Sequence, residues 1–226
     1  MGTGSPPPLT PWKSPRQGRA IATVDAIFEA TLQVLSSDGL IRLNTTRVAR
    51  RAGVSVGTLY QYFPNKQALL FAVLERHLEM LAGAIEKARD QNRCAAKELI
   101  AEPVVKAYLQ TQLAQAEISP ALYRIAMELD VRALIEAAVR RSAGAIEAML
   151  STSADGRFAD PGLLAQTLAA ALYGTVPPFC HRVLSAADGL EAERQLTTMF
   201  RSYLVAQPEL NDRECEVSEP GMRCDR

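Results

Sequence analysis

The signatures of catalysis are missing from this 226-residue sequence: it has no G-x-S-x-G, no H-E-x-x-H and no glycine loop of the phosphate-binding kind. Its two histidines, His77 and His181, leave little for acid–base work and do not stand at ligand spacing. An enzyme is not expected. The four cysteines, Cys94, Cys180, Cys215 and Cys224, form no C-x-x-C pair, so free thiols in a reducing cytoplasm are the expectation, with no metal and no cofactor. No secretory leader is expected, because residues 1–17 are rich in Pro, Gly and Ser and hold no apolar run. Residues 161–181 lack Asp, Glu, Lys and Arg, a length that could cross a bilayer. They carry Gln166, Thr167, Thr175, His181 and a Pro177-Pro178 pair, and much of their apolar content is Ala. A buried or subunit-contacting helix is expected there, not a membrane span.

Aromatic residues are scarce as well, at 6%, whereas Ala, Leu, Glu, Arg and Gln abound. That balance favours helix over sheet, and an all-α protein is expected. A net charge of one sign is absent, since 25 basic residues meet 25 acidic ones. This excludes a uniform polycation and an acidic disordered chain. The zero conceals segregation, however. Through Lys66 there are eight basic residues and three acidic ones, which leaves 17 basic and 22 acidic for the remaining 160 residues. A basic first quarter on an acidic remainder points to a small polyanion-binding module joined to a larger body.

Apolar residues at Ile21, Val24, Ile27, Phe28, Thr31 and Leu35 predict a first helix over 18–37, stopped by Asp38-Gly39. Asn44 or Thr45 caps a second helix that reaches about Ala52, Gly53 supplies a turn, and Ser55 caps a short third helix ending near Phe63. Pro64-Asn65 breaks the chain before a long fourth helix with Leu70, Val73, Leu74, His77, Leu78, Leu81 and Ile85 on one stripe. Further helices are expected over about 97–116, with Leu99, Val104, Leu109 and Leu113 inward, then from Ser119-Pro120 and through Leu134, Ala138 and Ile146. The uncharged stretch, kinked at Pro177-Pro178, and a last helix over about 191–206 complete the pattern. No repeat of 20 to 50 residues recurs.

Residues 45–66, TTRVARRAGVSVGTLYQYFPNK, carry the function. They read as a helix, a tight turn at Gly53 and a second short helix, with Val48, Ala49, Val54 and Leu59 as the small core between them. In a helix-turn-helix the second helix lies in the major groove of DNA and the first braces it across the backbone.

The run AGVSVGTLYQYFPNK, preceded by an amphipathic helix and the capped TTRVA, resembles the DNA-binding domain of the tetracycline-repressor (TetR) family of bacterial regulators, over about residues 16–74. The resemblance implies nine helices, a three-helix reader over 18–65 and a larger helical ligand-binding and dimerisation domain over 66–206; composition separately suggests disordered tails over 1–17 and 207–226. The resemblance also implies a homodimer joined through the last two long helices, a palindromic double-stranded DNA operator, and repression relieved by a small apolar or amphipathic effector. An activator or architectural DNA-binding protein without a ligand switch is the alternative reading.

By family position the third helix presents Val56, Gly57, Thr58, Tyr60, Gln61 and Tyr62 to DNA. Gln61 suits an adenine edge, Thr58 or Val56 a base or thymine methyl, and the hydroxyls of Tyr60 and Tyr62 suit phosphate oxygens. Lys66, at the start of the fourth helix, faces a phosphate together with the helix N-terminus. Thr45, Thr46 and Arg47 are further candidates, and Arg16 and Arg19 could enter the minor groove as an arm. In the family the effector pocket lies among the fourth to eighth helices. His77, Tyr108, Tyr123, Met127, Tyr173 and Phe179 combine apolar bulk with a few polar handles and are the candidates for it.

Overall fold

The computed structural model describes residues 18–154, 157–179 and 186–208. These form nine helices: α1 (Gly18–Arg42), α2 (Thr45–Arg51), α3 (Val56–Tyr62), α4 (Lys66–Gln91), α5 (Lys97–Leu113), α6 (Ser119–Glu128), α7 (Arg132–Ser151), α8 (Pro161–Phe179) and α9 (Ala186–Val205). No strand is present among the described residues, so the all-α expectation holds. Of the expected disordered tails, residues 1–17 and 209–226 lie outside them, whereas Gln207 is described and donates from Nε2 to the Tyr203 carbonyl at 3.0 Å.

Three side-chain caps set the starts of α2, α3 and α4. Asn44 Oδ1 accepts from the Arg47 N–H at 2.9 Å, Ser55 Oγ from the Thr58 N–H at 2.9 Å, and Asn65 Oδ1 from the Ala68 N–H at 2.7 Å. Each satisfies a donor that the first helical turn leaves unpaired. Gly53, at φ 69°, turns the chain between α2 and α3.

The expected stop at Asp38-Gly39 is only partly met, because helical geometry resumes after Gly39 and continues to Arg42. Gly39 itself, at φ 75° and ψ 170°, is a break that a residue with a Cβ would resist. Other boundaries also move. α5 ends at Leu113 rather than Ala116, since the chain tightens into short-range turns from Gln112 to Ile118, and α9 starts at Ala186, ahead of Glu191. In α5 the inward position is taken by Ile100, and Leu99 is exposed. Helix α8 runs unbroken through Pro177 and Pro178 to Phe179.

Helix α4 is the central element. It packs on α5 and α7, while α5 packs on α9 and α7 on α8. A single apolar core runs from Ile27 and Leu59 at one end, through Leu74 and Leu81, to Leu172 and Leu204 at the other. Arg141 of α7 donates twice to the Glu86 carboxylate of α4, from Nε and Nη2, each at 2.6 Å. This fork holds Glu86 below the usual carboxylate range. Among the described residues no helix is long and apolar enough to cross a membrane.

Candidate functional site

Helices α2 and α3 pack through Val48, Ala49 and Leu59, all fully buried, with Phe63 closing the end of α3. With those faces committed, the opposite face of α3 is open. Gly57, Tyr60 and Gln61 are exposed, and Val56, Thr58 and Tyr62 are half-buried. The hydroxyls of Tyr60 and Thr45 share a hydrogen bond of 3.1 Å, which ties the outer face of α3 to the first turn of α2. Thr58 Oγ1 lies 2.8 Å from Ser55 Oγ, so its hydroxyl is oriented by the same residue that caps the helix. Gln61 has no partner among the described residues, as a base-reading amide requires.

The cations divide into tethered and available. Arg47 donates to Asp38 at 2.6 Å, and Arg51 to the Gln33 side chain at 2.8 Å. Lys66 Nζ donates to the Leu40 carbonyl at 3.4 Å, which ties the first residue of α4 to the segment just past the Gly39 break. Thr46, Arg19 and Arg50 are exposed. Arg16 lies outside the described residues.

A second feature lies about 17 Å further along α4, at 1.5 Å per residue from Lys66 to His77. A cavity of about 210 Å³ opens between α4, α5, α6, α7 and α8. It is walled by Leu74, Leu78, Leu122 and Ile135 among others, and it brings together His77, Tyr108, Tyr123, Met127 and Tyr173. The Phe179 side chain lies outside the described residues. Among the described residues, no Asp, Glu, Lys or Arg lines the cavity. The Tyr108 and Tyr173 rings meet edge to face at 5.1 Å, and the Tyr173 hydroxyl is hydrogen-bonded to Ser142 at 3.1 Å. Burial pushes the Tyr173 hydroxyl above its ordinary pKa, so it stays protonated.

His77 is buried in the cavity wall with both ring nitrogens engaged. Nε2 lies 2.9 Å from Gln112 Oε1 and Nδ1 lies 3.0 Å from Gln115 Oε1. Burial lowers its pKa, with the two amide contacts opposing in part. Gln112 and Ser119, both buried, add polar atoms to this wall. The sequence pattern did not flag them. The signal that could have found Gln112 is a polar residue one turn beyond Tyr108 on the inward side of a helix.

Two family models match the chain. The model described as bacterial regulatory proteins, tetR family, covers residues 27–73, and the tetracyclin repressor-like C-terminal domain covers residues 98–204. The chain belongs to the tetR family of bacterial DNA-binding transcriptional regulators, and that family is not enzymatic.

Among curated relatives, it is 37% identical over 100 residues to the nucleoid occlusion factor SlmA of Actinobacillus pleuropneumoniae serotype 5b, which spans 44% of this chain and 46% of that protein. It is 33% identical over 110 residues to the transcriptional repressor KstR of Rhodococcus jostii, spanning 49% of this chain and 50% of that one. The matches thus span about half the length of these relatives. In solved structures, the repressor AlkX from a Dietzia species superposes with a TM-score of 0.55 at 26% identity, covering 80% of this chain and 96% of AlkX. A TetR regulator from Rhodococcus sp. RHA1 gives 0.57 at 19% identity, covering 83% and 98%.

Proposed function

We propose that the protein is a ligand-responsive repressor that binds a palindromic operator as a homodimer and releases it when a small apolar or amphipathic molecule enters the cavity. One observation carries the reading: α4 begins at Lys66 beside the reading helices and forms a wall of the uncharged cavity further along its length. A solid core at that place would favour a regulator without a ligand switch; a lined cavity supports sensing.

In this reading residues 18–65 are the DNA-binding head and residues 66–206 the effector-binding and dimerising body. Gln61, Thr58 and Val56 read bases, while Tyr60, Tyr62, Thr45, Thr46, Arg47 and Lys66 hold phosphates, with Arg16 and Arg19 as a minor-groove arm. The last two helices pair with a second copy. Leu163 on α8 and Leu190 and Met199 on α9 are exposed apolar side chains that such pairing would cover. Two heads on one duplex then read half-sites one helical turn, about 34 Å, or a multiple of it apart. The repressor named AlkX is described as implicated in biodegradation of n-alkanes, and its likeness fits an apolar effector for this chain too.

The nucleoid occlusion factor among the relatives supports a second reading, a DNA-organising protein whose sites serve no promoter. Selecting bound fragments from the source genome with the purified protein separates the two. A palindromic site at a promoter, released by a small molecule, is the expected result. Sites scattered without regard to promoters would favour the second reading, and the absence of any palindrome would sink both.

A further inference from the structure

We infer that the effector is an uncharged molecule with a hydrogen-bond-accepting oxygen, such as a ketone, and that this oxygen reverses a hydrogen-bond chain, Gln112–His77–Gln115, that crosses α4. This rests on the ligand-sensing reading above and specifies the ligand class and the first residue to respond.

The exclusion of charge comes from the lining. Among the described residues, no Asp, Glu, Lys or Arg lines the cavity. An ammonium or carboxylate brought into it would lose its hydration without gaining a counter-charge. The polar atoms offered are those of His77, Gln112, Ser119 and three tyrosines, which suits one neutral oxygen on an otherwise apolar body. A cavity of about 150 Å³ accepts benzene, so about 210 Å³ admits roughly eight or nine non-hydrogen atoms.

The chain follows from the chemistry of imidazole. Each ring nitrogen of His77 meets a glutamine side-chain oxygen, at 2.9 Å and 3.0 Å. Burial depresses the pKa of His77, which favours the neutral ring, and a neutral ring has a single N–H. It can donate to one glutamine oxygen only. The other glutamine must turn its amide and donate its NH2 to the remaining nitrogen. Two arrangements satisfy every group, and they differ in which nitrogen holds the proton.

The two ends of the chain sit in different places. Gln112 lines the cavity. Gln115 lines a separate cleft between α1 and α4, shared with Asp25, Phe28 and Arg76, and its NH2 donates to the Met80 sulfur at 3.8 Å. That contact keeps the Gln115 oxygen on Nδ1, so the resting proton is on Nδ1 and Gln112 gives its NH2 to Nε2. A ligand that only accepts takes the Gln112 NH2 for itself. The Gln112 oxygen then meets Nε2, the proton is held there, Nδ1 becomes an acceptor, and Gln115 must swing its NH2 from Met80 to the ring. One proton leaves Nδ1 and another is taken up at Nε2 by exchange with water, so the net protonation of the protein does not change. A chemical choice made in the cavity is thereby delivered to the cleft that faces α1.

Four probes of one length test this on the full-length protein: 2-octanone, octane, octanoate and octylamine, with binding read by calorimetry. The chain has two histidines, so nitrogen-15 labelling of histidine gives two ring systems, and loss of one set in His77→Leu assigns the other. The expected result is that 2-octanone binds at least tenfold tighter than octanoate or octylamine and exchanges the protonated nitrogen of His77. Octane is expected to bind without that exchange, and Gln112→Leu to abolish the preference for ketone over alkane. Octanoate binding as tightly as the ketone, or identical His77 nitrogen spectra with ketone and alkane, would overturn the inference while leaving ligand sensing intact. Failure of all four probes to bind would overturn the sensing reading, and the inference with it.

Discussion

Arg76 of α4 ion-pairs with Asp25 of α1 at 2.7 Å, and its guanidinium lies 4.9 Å above the Phe28 ring. Phe28 in turn meets Phe63, at the end of α3, edge to face at 5.7 Å. One side chain thus touches the helix next to the DNA reader by charge and by ring face together. Ser36 of α1 makes a second crossing, donating to Glu117 in the turn before α6 at 2.7 Å.

Removing the first crossing should cost little stability. Both partners of the Arg76–Asp25 pair are about half exposed, where such pairs and ring contacts are each worth roughly 1 kcal/mol or less. Arg76→Ala is expected to lower the unfolding free energy by about 1 kcal/mol in urea titration. Its larger effect should be on release, with more effector needed to free half of the operator. An unchanged dose curve would show that the crossing carries no signal.

On DNA, the charged and uncharged side chains should separate by salt. Lys66→Ala removes a phosphate partner and should weaken binding to all sequences with a shallower salt slope, by about one unit for each lysine lost. Tyr62→Ala should weaken binding to all sequences with the slope kept, because its hydroxyl carries no charge. Gln61→Ala should relax one operator position by about 1–3 kcal/mol. Equal slopes for all three in filter-binding titrations would contradict the assignments.

Substituting the break in α1 is a test of the fold itself. Nothing lies within 4 Å of a Cβ built on Gly39, so Gly39→Ala meets no clash. Its cost is conformational only, since φ 75° with ψ 170° is a region open to glycine and few others. A loss of about 1–3 kcal/mol is expected in thermal or chemical unfolding. Because Lys66 is hydrogen-bonded to the neighbouring Leu40 carbonyl, operator affinity should fall as well.

Protonation of His77 sets a pH dependence. Its folded pKa lies below the ordinary value of 6.5, so the unfolded chain takes up the proton first. The stability due to a neutral His77 is whole above about 6.5 and is lost as pH falls from there through the folded pKa. The unfolding free energy, read by urea titration, should therefore decline from pH 7.5 toward pH 5.5, with a slope approaching about 1.4 kcal/mol per pH unit. His77→Gln should flatten that decline.

The helices and their caps were legible because local chemistry decides them. Asn44, Ser55 and Asn65 each precede a helix and accept from its third residue, and Gly53 takes the left-handed turn. The stripe on α4 read correctly from Leu70 to Ile85, all of it buried. Where two apolar neighbours compete, as Leu99 and Ile100 do, periodicity alone chose the wrong one, and only packing against the rest of the bundle decides. Asp38 shows the same limit. It reads as part of a stop signal, yet its carboxylate is engaged by Arg47, nine residues away. The cavity was half legible. His77, Tyr108, Tyr123 and Tyr173 stand out as bulky or polar residues on inward faces, and Met127 lines the cavity although it is 70% exposed, but Gln112 and Gln115 gain their meaning from a histidine 35 and 38 residues earlier. Pairing at that distance is a property of helix crossing, not of sequence pattern.

The Arg141–Glu86 fork gives α4 a fulcrum. It grips the helix near its far end, about 14 Å beyond His77 and about 30 Å beyond Lys66 along the axis. A stiff rod turning about that point magnifies movement roughly twofold between the cavity wall and the DNA-facing tip. In the ligand-responsive reading proposed above, a 1 Å push at His77 would become about 2 Å at each head, and in a symmetric pair the two displacements would add, so a small molecule would need to do little work to put the heads out of step with the double helix.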